Sequence, residues 1–192
     1  MEQLVMKAIA PYKEMTRTLP NGYKFVLFKN CEKDINDWKN IIMNTPAPLD
    51  GADSCYHLMI EIYPDIIKEQ DIHFIENNEG ERVATITTIT HKDKSGYVHM
   101  VKAKESERGK GLGKVMAQYS LQVFKKRNID KVILTTDDFR LPAIKTYLDA
   151  GFLPVVHGNK DSEINKRWDK VLENLNYPAV EKIERAENEE FH

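Results

Sequence analysis

The chain has 192 residues, 41% hydrophobic and 30% charged, enough to bury one sizeable core and short for two. Its 28 lysines and arginines against 30 acids leave a formal charge of −2, so no global field draws it to nucleic acid or to an anionic membrane, and any anion site must be a local cluster. Cys31 and Cys55 lack CxxC or metal-ligand spacing and suit thiols in a reducing compartment. Glu2 and Lys7 interrupt the apolar residues before Pro11, and no later run approaches about 18 apolar residues, so a cytoplasmic location is expected.

One globular domain is expected over residues 1–192, with 1–20 a less ordered arm and 181–192 a charged tail. In chain order, "YKFVLF" (23–28) reads as a strand and "DINDWKNIIM" (34–43) as a helix capped by Asp34. "NTPAPLDGADSCYH" has the Pro, Gly and Asp density of a loop, and a second short helix is expected within 56–68. "DIHFIE" (71–76), "RVATITTITH" (82–91) and "GYVHMVKA" (96–103) are β-branched or alternating runs separated by turns, an antiparallel meander.

The period then changes. Leu112, Val115, Met116, Tyr119 and Val123 recur at helical spacing, "KVILT" (131–135) is a buried strand, and Ala143, Ile144, Tyr147 and Leu148 stripe another helix between Pro142 and a Gly151 cap. A strand, helix, strand crossover of this length implies a right-handed parallel unit joined to the meander, hence a mixed sheet in an α/β (α+β) fold. Ile164, Trp168, Val171, Leu172 and Leu175 form a last amphipathic helix halted before Pro178, and "AVEKI" is able to add a terminal strand.

The turn between "MVKA" and the first long helix carries the chemistry. Gly109, Gly111 and Gly113 remove β-carbons where strand passes to helix, so that the first helical amides can approach a ligand and point at it. Those amides and the helix dipole attract phosphate. From 102 to 114, five cations (Lys102, Lys104, Arg108, Lys110, Lys114) face two acids (Glu105, Glu107), a local surplus of three. A P-loop would need glycine where Arg108 stands and a hydroxyl where Val115 stands, and a dinucleotide fingerprint would need glycine at Lys114. Both are disfavoured; a polyphosphate site of another kind remains, against the plain alternative of a tight connection.

"RGKGLG" (108–113), with Arg108, Gly111 and Gly113 in the RxxGxG places, resembles the acyl-CoA loop of the GCN5-related N-acetyltransferase (GNAT) family, and "AIKTYLDAGF" (143–152) resembles that family's AxxxYxxxGF element. The likeness covers roughly residues 23–157 in element order. Within the family, "LPNGY", "HMV" and "TTDDFRLPAIKTYLDAGF" resemble bacterial mycothiol synthase-like members.

The resemblance implies a mostly antiparallel central sheet flanked by helices, whose strands matching 96–103 and 131–135 splay to form the acyl-CoA cleft. It implies that pantetheine lies along Val101, Lys102 and Ala103, and that the loop from Arg108 through Gly109, Lys110, Gly111 and Leu112 to Gly113 takes the pyrophosphate, with Lys114 or a nearby cation meeting the 3′-phosphate. Tyr147 matches the general acid, and a backbone N–H near Val101 the oxyanion donor. Arg140 stands where many relatives carry asparagine and is expected to pair with phosphate or an acidic acceptor. Thr135 stands where some relatives place a glutamate base. His99 is therefore the candidate base, with Glu76 and Asp137 weaker.

The expected activity is direct acetyl transfer from acetyl-CoA to a small-molecule or peptide amine. No catalytic metal, nucleic acid or membrane is expected, and the chain is read as a monomer or homodimer. The alternative is a non-catalytic CoA-binding regulatory or interaction module of the same fold.

Overall fold

The structure, a computed structural model, describes residues 2–43 and 67–185. Its strands are β1 (Leu4–Ile9), β2 (Lys24–Leu27), β3 (Ile72–Glu76), β4 (Arg82–Thr90), β5 (Gly96–Ala103), β6 (Lys131–Thr136), β7 (Leu153–Val156) and β8 (Ile183–Glu184). The long helices are α1 (Glu32–Met43), α2 (Leu112–Lys126), α3 (Leu141–Ala150) and α4 (Glu163–Asn174). The strands lie in the order β2-β3-β4-β5-β6-β1-β7-β8. Pairing is antiparallel except between β5 and β6 and between β7 and β8. The meander and the β5–α2–β6 parallel unit stand as the periodicities predict.

The segment 1–20 is a correction. Residues 4–9 are a central strand, paired with β6 from Leu4↔Thr136 to Ile9↔Lys131 and with β7 on the other edge. Leu4, Met6 and Ala8 alternate into the main core, and Val5 packs on the opposite face with Ile133 and Val155. Lys7, buried in the same strand, breaks the apolar run that would have advertised it. The stretch after β1 is also tied down: Gln118 of α2 accepts from the amides of Thr16 and Arg17, each at 3.1 Å, and Tyr12 donates to the Ile129 carbonyl at 2.6 Å.

One core unites the inner faces of α2, α3 and α4 with the sheet, through Leu112, Met116, Phe124, Ile144, Phe152 and Trp168 among others. A second cluster packs Trp38 and Ile41 of α1 on the opposite face against Phe28, Ile72, Phe74 and Ile89. Helix α1 begins at Glu32, two residues before the predicted cap. Asp34 lies in its first turn and accepts from the Lys29 amide at 2.8 Å. Ser162 caps α4 through the Asn165 amide, and Gly151 ends α3 at φ 107°. The possible terminal strand forms as β8. The loop expected at 44–57 and the helix expected within 56–68 lie outside the described residues up to 66; Glu69–Asp71 form a single 3-10 turn. Among the described residues, no helix is long and apolar enough to cross a membrane.

Candidate active site

Strands β5 and β6 pair only at Gly96↔Val132 and Tyr97↔Ile133. Beyond those rungs β5 continues to Ala103 against β4 alone, while β6 continues to Thr136 against β1. A bulge accompanies the parting. The β4–β5 register runs Thr85↔Lys102 and then Thr87↔His99, so Met100 and Val101 together oppose Ile86, and Met100 takes a left-handed φ of 49°. Beyond the bulge the Lys104 amide donates to the Val83 carbonyl at 2.9 Å. Strand alternation then turns the polar backbone groups of Lys102 toward β4 and those of Val101 and Ala103 away from it, into the gap.

At the bottom of the gap the Tyr97 hydroxyl meets Thr135 Oγ1 at 2.8 Å. Tyr147 enters from α3, its ring edge-on to Phe152 at 5.9 Å, and is 9% exposed. Its hydroxyl bonds to no described residue, yet is not among the sealed unpartnered polar atoms of the core, so it keeps some contact with solvent. Burial pushes the Tyr147 phenol up to about 12; the nearby Arg140 charge pulls it the other way, and Tyr97 adds a smaller push.

The glycine turn sits at the far end of β5. Gly109 and Gly111 have φ of 82° and 75°, conformations that an L side chain enters at a cost. The amides of Arg108 and Lys110 donate within the turn to Glu105 and Glu107, and that of Lys114 to Gly111. Among the described residues, the amides of Gly109, Gly111, Leu112 and Gly113 have no protein acceptor. A Cβ built on Gly109, Gly111 or Gly113 meets nothing within 4 Å, so the space beside these three glycines is open.

The cationic side chains of the turn are largely engaged. Lys110 Nζ bonds Tyr23 Oη at 2.8 Å and both Glu107 carboxylate oxygens at 3.0 Å, and these contacts, Tyr23 first, hold its ammonium above the usual lysine range. Arg108 pairs with exposed Glu105 at 2.7 Å, Lys114 with Asp149 at 3.5 Å, and Lys102 Nζ donates to the Ile42 carbonyl at the end of α1. Arg140 Nε pairs with Asp137 at 2.9 Å. His99 is half-buried on the parted stretch of β5, its ring 5.5 Å from that of Tyr97, and burial lowers its imidazolium below the ordinary 6.5. Glu76 is held by Lys24 and Arg82 at the β2–β3 edge, two strands from the gap.

The fold thus brings Val101, Ala103, Tyr147, Arg140, His99 and the glycine turn around one gap. The Tyr97–Thr135 hydroxyl pair at its floor is not legible in the sequence, because only the register between two strands whose rungs join residues 36 apart unites them. A polar cavity of about 320 Å³ beside the start of α2, lined by Lys13, Arg17, Lys114, Gln118 and Tyr177, is likewise not legible in the sequence, since two of its cations come from the stretch expected to be an arm.

The family model for GNAT acetyltransferases matches residues 36–152, more than half of the chain and the whole of the gap. The chain belongs to the GNAT family. Among GNAT proteins it is similar to a mycothiol acetyltransferase of Thermomonospora curvata, 30% identical over 79 residues, which is 41% of this chain and 27% of that relative. Solved GNAT structures share its fold: a GCN5-related N-acetyltransferase from Sphaerobacter thermophilus (TM-score 0.62, 17% identity, 79% of this chain and 47% of the other). A GNAT acetyltransferase from Colwellia psychrerythraea does likewise (TM-score 0.59, 15% identity, 80% and 53%). The chain spans about a quarter of the first relative's length and about half of each solved structure.

Proposed function

We propose that this chain transfers an acetyl group from acetyl-CoA to an amine by direct attack within a ternary complex. The observation that carries the reading is the parting of β5 from β6 after two rungs, with four unpartnered amides at the head of the gap. A gap of this form leaves Val101 and Ala103 able to bond an extended amide chain as a third strand would. The four donors around Gly111 suit a pyrophosphate. Gly113 supports this, because the protein leaves room for a Cβ there and only an approaching ligand would collide with one. Lys114, Lys13 and Arg17 around the neighbouring cavity suit a further phosphate.

When bound, acetyl-CoA would supply an activated acetyl thioester. The chain's own groups then have separable tasks. The Val101 amide is placed to donate to oxygen as negative charge gathers on it. Tyr147, with its phenol near 12, stays protonated throughout the neutral range and holds a proton at Oη for the departing sulfur. His99, neutral at lower pH than an exposed imidazole, is available to take the acceptor's proton. Among the described residues the cysteine is Cys31, exposed ahead of α1 rather than on β5, β6 or the glycine turn, an arrangement that supports direct transfer. An exposed free thiol also suits a reducing cytoplasm.

The acceptor is a small-molecule or peptide amine. Calorimetric titration with CoA tests the site, and a thiol-release assay across amines, amino sugars and peptides tests turnover. Tyr147→Phe should lower kcat by roughly 10²-fold while CoA affinity is unchanged. An equal loss of CoA binding would make Tyr147 a packing residue, and CoA binding with no turnover on any amine would favour a regulatory module.

A further inference from the structure

Two polar groups without partners face each other beside the gap. Thr87 is fully buried in β4, and its Oγ1 has no hydrogen-bond partner. His99 lies directly across from it in the β4–β5 ladder and, among the described residues, bonds to nothing through its ring. Both project on the α1 face: Thr87 is two residues from Ile89 and His99 two from Tyr97, and both of those pack in the α1 cluster. A buried hydroxyl left unpaired is destabilising, and valine would fill the same volume without that cost. Directly opposed residues of an antiparallel pair have side chains within reach of one another, so a turn of the imidazole about its Cα–Cβ and Cβ–Cγ bonds would let each group serve the other.

We propose that Thr87 is the positioning residue for His99: one imidazole nitrogen donates its N–H to Thr87 Oγ1, which leaves the lone pair on the other nitrogen, free to take a proton in the gap. The two tautomers of a neutral histidine are nearly equivalent until a neighbour selects one, and a base is useful only in the tautomer whose lone pair faces the substrate. As the acceptor ammonium gives up a proton, that proton moves to the free nitrogen, while the N–H held by Thr87 stays in place in both the neutral and the charged ring. The role of the proton transfer rests on the acetyltransferase reading; the hydrogen bond does not.

Nitrogen-15 NMR of the full chain, labelled at histidine and recorded free and with CoA added, reads the tautomer directly. His99 of the unmodified protein should show one dominant tautomer in at least one of these states, Thr87→Val should show a mixture, and Thr87→Ser should restore the single form. Thr87→Val should also unfold at an equal or higher temperature than the unmodified chain while acetyl transfer slows roughly threefold to tenfold, the size of one hydrogen bond. Equal populations of both tautomers in the unmodified protein, free and loaded, would overturn the proposal even if the valine variant fails to fold. A tautomer change in Thr87→Val with an unaltered rate would keep the hydrogen bond and remove His99 from the reaction. Loss of CoA binding by the unmodified protein would instead overturn the acetyltransferase reading, leaving the free-state spectrum to decide the pair.

Discussion

His73 shows how burial makes a residue's charge a matter of stability. Its Nδ1 meets the Tyr119 hydroxyl and its Nε2 the Thr88 hydroxyl, each at 3.1 Å, and neither contact brings a negative charge. Burial, with the Arg127 charge adding to it, lowers its imidazolium to about 4 from 6.5. The unfolded chain therefore binds a proton that the folded chain refuses. Stability is fully present above 6.5 and is lost as pH falls from 6.5 toward 4, by on the order of 3 kcal/mol. Urea unfolding at pH 7 and at pH 4.5 should show His73→Gln losing less over this interval than the unmodified protein. Equal losses would mean that the ring is hydrated in the folded state. Tyr147, by contrast, was legible as a special residue from its motif, because a short spacing on one helix is a local property. Tyr97, which acts on the Tyr147 phenol, and its partner Thr135 were not legible as a pair.

The start of α2 separates two demands on glycine. At Gly111 the chain needs the left-handed conformation whatever binds, since φ is 75°. At Gly113, inside the helix, neither conformation nor space requires it. Gly113→Ala should therefore raise stability by about 1 kcal/mol, the ordinary helix preference for alanine, and weaken CoA binding, because the added methyl enters the space over the free amides. Thermal melting and CoA titration of the same variant check both halves. A stabilised variant with unchanged affinity would place the pyrophosphate elsewhere. The glycine spacing made this turn visible in the sequence, whereas the engagement of Lys110 by Glu107 and Tyr23 depends on a strand-flanking residue 87 positions away.

The molecule as a whole depends on β1. That strand fills the place between β6 and β7, so the sheet is continuous from β2 to β8 only while the first ten residues are present. Leu4, Met6 and Ala8 are within 2% of complete burial, and removing them opens two strand edges and a core wall together. A chain lacking residues 1–10 should lose its cooperative thermal transition by circular dichroism and should aggregate. A soluble, cooperatively melting product would show that β6 and β7 can close on each other.

The meander from 72 to 103, the crossover into β6, and the stripe of α3 were readable because their signals are periodicities confined to a few consecutive residues. So was the glycine turn, whose spacing is local as well. Three things were decided only by tertiary structure: the insertion of β1, the depth at which β5 and β6 part, and the opposition of Thr87 to His99. Each rests on register between segments far apart in the chain, and register is chosen by the summed burial and hydrogen bonding of the whole sheet rather than by any stretch of residues within it.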